Sequence, residues 1–198
     1  MRLLELTTAA VTTLCPDDEA MSRVAAGDNA ALAPLFERHK VRLFGFLYHL
    51  VGDRSLAEDL VGETFLRVYR ARARYRSNSG FAPWLFAIAR NLAIGELRRR
   101  SVLRRIQERL LRQATLDPNA WAPEEDDLQE RVRQALQTLP EDQRSAVVLK
   151  EYLGMDYRQV GQVLGCTEQA ARARTYRARQ GLREALKEWW QLEGEQGG

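Results

Sequence analysis

Apolar residues recur along most of the chain with the three- and four-residue spacing of an α-helix, and no stretch alternates apolar and polar residues as a half-buried strand would. The pattern therefore predicts an all-α protein. In the first half, we expect a helix from an N-cap at Asn29 to Gly52 and a second from a capping box at 55–58. A third helix has Pro83 in its first turn and reaches the arginines at 98–100, with 101–112 either continuing it or following a break.

The second half of the chain begins with a linker, since residues 114–127 carry two prolines, five acids and little periodicity. Helices are then predicted at 128–139, 141–153 and 156–164. A tight turn at 165–167 precedes a longer basic helix that starts near Glu168, which is the pattern of a helix-turn-helix. We thus predict two small helical domains at 29–112 and 128–190, an acidic linker at 113–127, an N-terminal extension at 1–28 with no assigned role, and a flexible tail at 191–198.

Composition excludes several classes of protein. The 198 residues are 45% hydrophobic, which suits one or two small domains with modest cores. Cys15 and Cys166 are far apart and neither belongs to a CxxC pair, which argues against a disulfide scaffold or a cysteine-based zinc site. No apolar run reaches the roughly 18–20 residues that span a bilayer, and the N-terminus lacks a signal-peptide pattern. We therefore expect a cytoplasmic protein that does not insert into a membrane.

The net charge of +3 conceals a strong segregation of charge along the sequence. Residues 67–112 carry a net +11 and residues 144–188 a net +4, whereas residues 1–66 carry −4 and residues 113–143 carry −6. Both basic blocks coincide with predicted helices, and the second falls on the helix-turn-helix. Two basic surfaces that flank an acidic spacer indicate that two separate faces meet a polyanion, most simply nucleic acid.

Three motifs in this order resemble the extracytoplasmic-function (ECF) group of bacterial sigma factors, which have only sigma regions 2 and 4. Residues 59–70 (DLVGETFLRVYR) are similar to the motif that docks on RNA polymerase, residues 84–94 (WLFAIARNLAI) to the segment that opens promoter DNA, and residues 139–144 (LPEDQR) with the helix-turn-helix to the C-terminal domain. The resemblance covers roughly residues 30–100 and 128–188. Gly62 and Gly95 depart from it, because Gln and Asp are usual there.

The resemblance implies a set of partners and site residues. The partners would be core RNA polymerase, through its β′ clamp and β flap, promoter DNA, and an anti-sigma factor that masks the polymerase-binding surfaces. The clamp would be contacted by Asp59, Glu63 and Arg67. The melted −10 element would be bound by Ser77, Asn78, Ser79, Asn91, Arg98, Arg99 and Arg100. The −35 element would be read by Arg172, Arg174, Tyr176 and Arg177. Tyr75 and Phe81 flank the predicted −10 loop and are candidates for stacking on bases.

Two other classes of function remain open at the level of sequence. An enzyme is disfavoured, because the chain has no phosphate-binding loop, HExxH or GxSxG motif, and His39 and His49 fall on different faces of one helix. We expect no cofactor, no metal and no small-molecule substrate. A conventional helix-turn-helix regulator that acts without polymerase is the main alternative. Such a regulator should bind duplex promoter DNA tightly by itself.

Overall fold

The computed structural model describes residues 15–77, 80–111 and 127–187, with side chains throughout except at 107–111 and 127, and every regular element in these ranges is a helix. This confirms the all-α prediction. The elements are α1 (Pro16–Ala25), a 3-10 turn (Asn29–Ala31), α2 (Leu32–Val51), α3 (Arg54–Arg70), a 3-10 turn (Arg72–Arg74), α4 (Phe81–Leu111), α5 (Asp127–Thr138), α6 (Glu141–Val147) with a π-helical extension (Val148–Tyr152), α7 (Tyr157–Leu164) and α8 (Glu168–Ala185). Within the described ranges, no helix is long and apolar enough to cross a bilayer.

Helices α1 to α4 form the first domain. The apolar stripes of α2, α3 and α4 meet in one core, in which Leu35, Phe46 and Leu85 are completely buried. Helix α1 belongs to the same core, because Met21 and Val24 are also completely buried. The sequence pattern gave no role to the segment that contains α1.

Both predicted N-caps of the first domain are wrong, because an aspartate upstream does the capping. The Asp28 carboxylate accepts a hydrogen bond from the backbone N–H of Ala30 at 3.1 Å, which starts a 3-10 turn at Asn29 and delays α2 to Leu32. Asp53, in extended conformation, accepts from the N–H of Leu56 at 2.9 Å, so α3 begins before the expected capping box. In both cases the upstream carboxylate satisfies an otherwise unpaired N–H.

Helix α4 takes the longer of the two lengths that the sequence left open. It continues without a break through Ser101 and Val102 to Leu111, so its 31 residues span about 46 Å at 1.5 Å per residue. Its N-terminal part packs in the core of the first domain, whereas Val102, Leu103 and Ile106 are half-exposed. The basic segment after residue 97 is therefore a continuous helical extension of a core helix.

Helices α5 to α8 form the second domain, and they include the predicted helix-turn-helix. Asp156 caps α7 in a reciprocal box with Gln159, with distances of 2.7 and 3.1 Å. Gly165 ends α7 in the left-handed conformation at φ 64°, and the hydroxyl of Thr167 accepts from the N–H of Ala170 to start α8. The α8 residues that face α6 and α7 are buried, namely Ala171, Thr175 and Ala178. The prediction of a helix-turn-helix is confirmed.

Candidate nucleic-acid and protein interfaces

One exposed face of α3 carries the three residues that were predicted to bind polymerase. Asp59 and Arg67 are exposed and Glu63 is partly exposed. The Glu63 carboxylate accepts from Arg67 Nε at 2.9 Å, an i,i+4 ion pair that keeps both side chains on one line of the helix. The opposite face of α3 is held in the core by Leu60, Val68 and other apolar residues. Helix α3 thus presents a fixed row of charges to solvent.

Apolar side chains accompany this row of charges, and the sequence pattern had assigned them to the interior or left them out. Leu66 is 51% exposed between Glu63 and Arg67. On another side of α3, a shallow groove between α2 and α3 is lined mainly by Phe36, Val41, Phe44 and Val61. An apolar groove with a charged rim is typical of a surface that receives a protein partner. The width of the apolar stripe on α2 could have indicated this groove, because the stripe is wider than one face of the core can cover.

The residues predicted to bind the −10 element are distributed around α4 and the turn before it. Ser77 is exposed, and Asn78 and Ser79 lie outside the described residues. Asn91 and Arg98 are both exposed and lie seven residues apart, so they share one face of α4. Arg99 and Arg100 point elsewhere: Arg99 donates to Glu96 at 2.7 and 2.8 Å, and Arg100 donates to Asp53 at 2.9 Å. The structure therefore brings Asn91 and Arg98 together and separates the other two arginines from them.

The aromatic residues that flank the predicted −10 loop are buried, so the stacking role predicted for them is wrong in this structure. Tyr75 is 7% exposed and Phe81 is 2% exposed. The Tyr75 hydroxyl donates a hydrogen bond to the buried Asp18 carboxylate of α1, and its ring lies 5.0 Å from that of Trp84. Burial and the neighbouring Asp18 raise the pKa of Tyr75 far above its ordinary value of 10.0. Both aromatic side chains therefore anchor the ends of the loop in the core.

Three of the four residues predicted to read the −35 element lie on exposed sides of α8, away from its buried positions. Arg172 and Tyr176 are one turn apart and exposed, Tyr176 by 62%. Arg172 also stacks on the ring of Tyr157 at 4.5 Å. Arg177 is exposed, whereas Arg174 lies on the flank that faces α6, with a side chain only 28% exposed. Three of the four residues are thus open to solvent, and Arg174 is partly covered.

Basic residues from α6 and α7 extend this surface, and the sequence pattern did not single them out. Lys150 lies 4.9 Å from the centre of the Tyr157 ring, on which Arg172 also stacks. Together with Arg158 and the acids Asp156 and Glu168, these residues line an open polar pocket beside the start of α8, where Glu168 also lies 3.4 Å from Arg172. The three cations outnumber the two acids there, so the edge of the helix-turn-helix carries a net positive charge that suits a phosphate group.

Two arginines from different domains converge on one carboxylate. Asp142, in the first turn of α6, accepts a hydrogen bond from Arg90 of α4 and lies 3.4 Å from Nε of Arg174. Burial lowers the pKa of Arg90, and the negative charge of Asp142 opposes that effect. The Nη1 atom of Arg174 is buried and has no hydrogen-bond partner among the described residues. Asp142 therefore joins the first domain to the recognition helix.

Known protein families match both domains. The family model for sigma-70 region 2 matches residues 35–102, and that for sigma-70 region 4 matches residues 129–182. The chain is 39% identical over 170 residues to the RNA polymerase sigma factor CarQ of Myxococcus xanthus, an alignment that covers 85% of this chain and 96% of CarQ. It is 32% identical to the ECF RNA polymerase sigma-E factor of Salmonella typhimurium, over 84% of this chain and 92% of that protein.

Solved structures agree with these matches. CnrH, determined in complex with the cytosolic domain of CnrY, superposes with a TM-score of 0.66 at 25% identity, over 87% of this chain and 98% of CnrH. The sigma factor RpoE of Bartonella quintana, determined in complex with the anti-sigma factor NepR, superposes with a TM-score of 0.57 at 28% identity, over 74% and 90% of the two chains. The two helical domains, the order of their motifs and these similarities together show that the chain belongs to the ECF group of bacterial RNA polymerase sigma factors.

Proposed function

We propose that this chain binds core RNA polymerase and directs initiation at promoters with −35 and −10 elements, with no catalytic step of its own. The observation that supports this most directly is the placement of two exposed basic faces, on α4 and α8, in two domains joined by an acidic linker. Recognition of two separated DNA elements requires two such faces. A row of charges beside apolar side chains on α3 supplies a third surface, which would contact the β′ clamp.

At the −10 element, the face of α4 would hold the strand that leaves the duplex. Opening the duplex costs stacking energy, so the protein must bind the open strand better than the closed one. Arg98 offers a cation for the backbone, and Asn91 on the same face offers both a donor and an acceptor for a base edge. Ser77, Asn78 and Ser79 would receive a base, and the anchors at Tyr75 and Phe81 would fix both ends of that loop.

At the −35 element, α8 would enter the major groove. Arg172 and Tyr176 lie on its open side, and arginine in this setting bonds to guanine edges or to phosphates. The ring of Tyr157 holds the Arg172 guanidinium by a cation–π contact, which limits the entropy lost on binding. Lys150 and Arg158 would contact the phosphates next to the groove.

We further propose that an anti-sigma factor controls this chain. Both solved relatives described above were determined with a bound partner protein, and one of these partners, NepR, is named as an anti-sigma factor. The apolar groove between α2 and α3 and the exposed Leu66 offer such a partner apolar surface on the first domain. The acidic linker would pass through the polymerase interior.

The test combines association with core and protection of DNA. Core polymerase mixed with this chain should protect both −35 and −10 elements of a cognate promoter from cleavage, whereas neither component alone should do so. A variant with Asp59→Ala and Glu63→Ala should compete poorly for core, and the matched variant Glu37→Ala with Glu184→Ala, which removes two acids outside the α3 face, should compete like the parent. Tight protection by the chain alone would instead identify a conventional regulator.

A further inference from the structure

Helix α1 turns two adjacent aspartates towards the first domain. Asp18 is only 7% exposed, and the side chain of Asp17 is 18% exposed. Further along the helix, Met21 and Val24 are completely buried, so packing fixes the place of α1. Neighbouring side chains on a helix point about 100° apart, which lets the two carboxylates reach different groups. A buried carboxylate is costly unless it is bonded, and each of these two has a partner near the −10 loop, residues 76–80.

Asp18 holds the residue that precedes the −10 loop. Its carboxylate accepts a hydrogen bond from the hydroxyl of Tyr75, whose ring is buried. Two positions further along, the carbonyl of Ser77 accepts from the backbone N–H of Gly80 at 3.2 Å, which draws the two ends of the loop together. The bond between Asp18 and Tyr75 therefore fixes the start of a short, closed loop.

Asp17 reaches the other end of the loop through a histidine. Nε2 of His39 lies 2.7 Å from the Asp17 carboxylate, and Arg38 donates to the second oxygen of the same group. The ring of His39 packs edge-on against that of Phe81 at 5.3 Å. Phe81 is the first residue of α4 and directly follows the loop. The two aspartates of α1 thus act on the two aromatic anchors, one on each side of the loop.

The chemistry of these contacts suits the placement of groups better than it suits stability. An apolar pair of similar size would pack α1 against the domain without desolvating a carboxylate. A hydrogen bond, in contrast, restricts both distance and direction, so Asp18 limits where the Tyr75 hydroxyl can lie. The rings of Tyr75 and Phe81 are 6.2 Å apart and in contact, so a shift of one is transmitted to the other. The carboxylates therefore set the position of the loop.

We propose that Asp17 and Asp18 are positioning residues for −10 recognition, which fix both ends of the −10 loop so that it can receive an unstacked base. The assignment of this loop to the −10 element rests on the proposed function. Each aspartate acts through an aromatic anchor and does not itself contact DNA. Contacts to the DNA backbone carry no sequence information, whereas a base pocket needs precise placement. A loop released at one end should therefore still bind the strand and lose its preference for one base.

The measurement is base discrimination by the complex of the full chain with core polymerase. The probe is a labelled non-template strand that spans the −10 element of a promoter directed by the chain, together with strands in which each −10 base in turn is replaced. The largest ratio of dissociation constants in this set measures discrimination. We expect Asp18→Ala to lower that ratio by about fivefold or more, while competition for core and protection of the −35 duplex stay within about twofold of the parent.

Matched variants separate placement of the loop from a general loss of charge or packing. Glu19→Ala removes an exposed acid from the same turn of α1, and Val24→Ala removes buried methyl groups from the same helix. Both should keep the parental ratio, although Val24→Ala lowers the free energy of unfolding. Asp18→Asn keeps an oxygen that accepts from Tyr75 and should restore discrimination. Asp17→Ala should lower the ratio, because it releases the other end of the loop.

A double variant shows whether Asp18 acts through Tyr75. Tyr75→Phe keeps the buried ring and removes only the hydroxyl, so it should lower the ratio as Asp18→Ala does. The two changes together should lower it no further, since each alone already breaks the same bond. A parental ratio in both single variants, an equal fall in Val24→Ala, or falls that add in the double variant overturns the positioning role.

Failure of the proposed function would look different. In that case the parent complex itself would direct no transcription and would bind all strands of the set alike. A parent that initiates transcription and discriminates between bases, together with aspartate variants that match it in both respects, contradicts the positioning role alone.

Discussion

Substitution of Arg144 by Met should weaken the whole fold, because this side chain ties together the ends of two helices from different domains. Arg144 is only 7% exposed, and its guanidinium donates to the carbonyls of Leu50, Gln137 and Leu139 at 2.6, 3.0 and 3.1 Å. These carbonyls lie at or just beyond the C-terminal ends of α2 and α5, where no intrahelical donor remains. Methionine preserves the apolar stem and removes all of these donors.

The expected loss follows from the groups left behind. A buried carbonyl without a partner costs about 1–3 kcal/mol. The carbonyls of Gln137 and Leu139 lose their donor, whereas that of Leu50 keeps a long contact with Gln137 Nε2 at 3.4 Å. Removing the buried charge offsets part of that cost. Burial lowers the pKa of Arg144, because desolvation disfavours its charged form, and methionine carries no such charge. We therefore expect Arg144→Met to reduce the free energy of unfolding by about 3 kcal/mol. For a chain of this size that corresponds to a fall in Tm of about 6–12 °C.

Urea denaturation followed by circular dichroism measures this loss. The control is Arg179→Met, which removes an equally long arginine from the surface, where its pair with Glu151 is about half-exposed. We expect the control to lie within about 1 kcal/mol of the parent. If Arg144→Met is as stable as the control, the carbonyl contacts are not made in solution, and the description of the interface between the domains is wrong.

Three further predictions concern single side chains. Burial lowers the pKa of His49 below its ordinary 6.5, so as the pH falls the unfolded chain binds more protons there than the folded chain does. The free energy of unfolding of the parent should therefore decrease through and below pH 6.5. It should decrease less in His49→Phe when both proteins are unfolded with urea from about pH 7.5 to 5.5. Equal pH slopes would contradict this assignment. Tyr75→Phe should lower the free energy of unfolding by about 1.5–3 kcal/mol at pH 7, because Asp18 loses a buried donor. This difference from the parent should shrink above pH 10, where the tyrosine of the unfolded parent ionises. A difference that stays constant up to about pH 11 would refute the assignment. Arg172→Ala should weaken binding of the −35 element by about 1–3 kcal/mol in a footprinting titration with core polymerase present. Arg183→Ala, in the last turn of α8, should leave that binding unchanged. Equal losses in the two variants would mean that only the total charge of the helix matters.

The helix-turn-helix could be predicted from the sequence because each of its boundaries has a local signal. Asp156 and Gln159 form a capping box, Gly165 supplies the left-handed turn, and Thr167 caps the next helix. These contacts join residues no more than four positions apart. The length of α4 was less determined, since Ser101 and Val102 are weak helix formers and the sequence left a break possible.

The contacts between distant segments could not be predicted in this way. Asp18 and Tyr75 are 57 residues apart, and Arg90 and Asp142 are 52 apart, so no local pattern links them. In the sequence, Arg174 looks like its neighbours on α8, and only the packing of α6 against that helix shows that Asp142 lies beside it. Residue type and spacing indicated which side chains could bind nucleic acid, whereas tertiary packing decides which of them are open.

Transcription directed by the chain tests the central claim most directly. Core polymerase is incubated with the purified chain and a cognate promoter template, and the length and start site of run-off RNA are measured, with a template in which the −10 element is scrambled as the control. We expect a single defined transcript that depends on this chain and disappears with the scrambled template. Absence of any transcript that depends on the chain, with core polymerase shown to be active by another sigma factor, would contradict its assignment as an initiation factor.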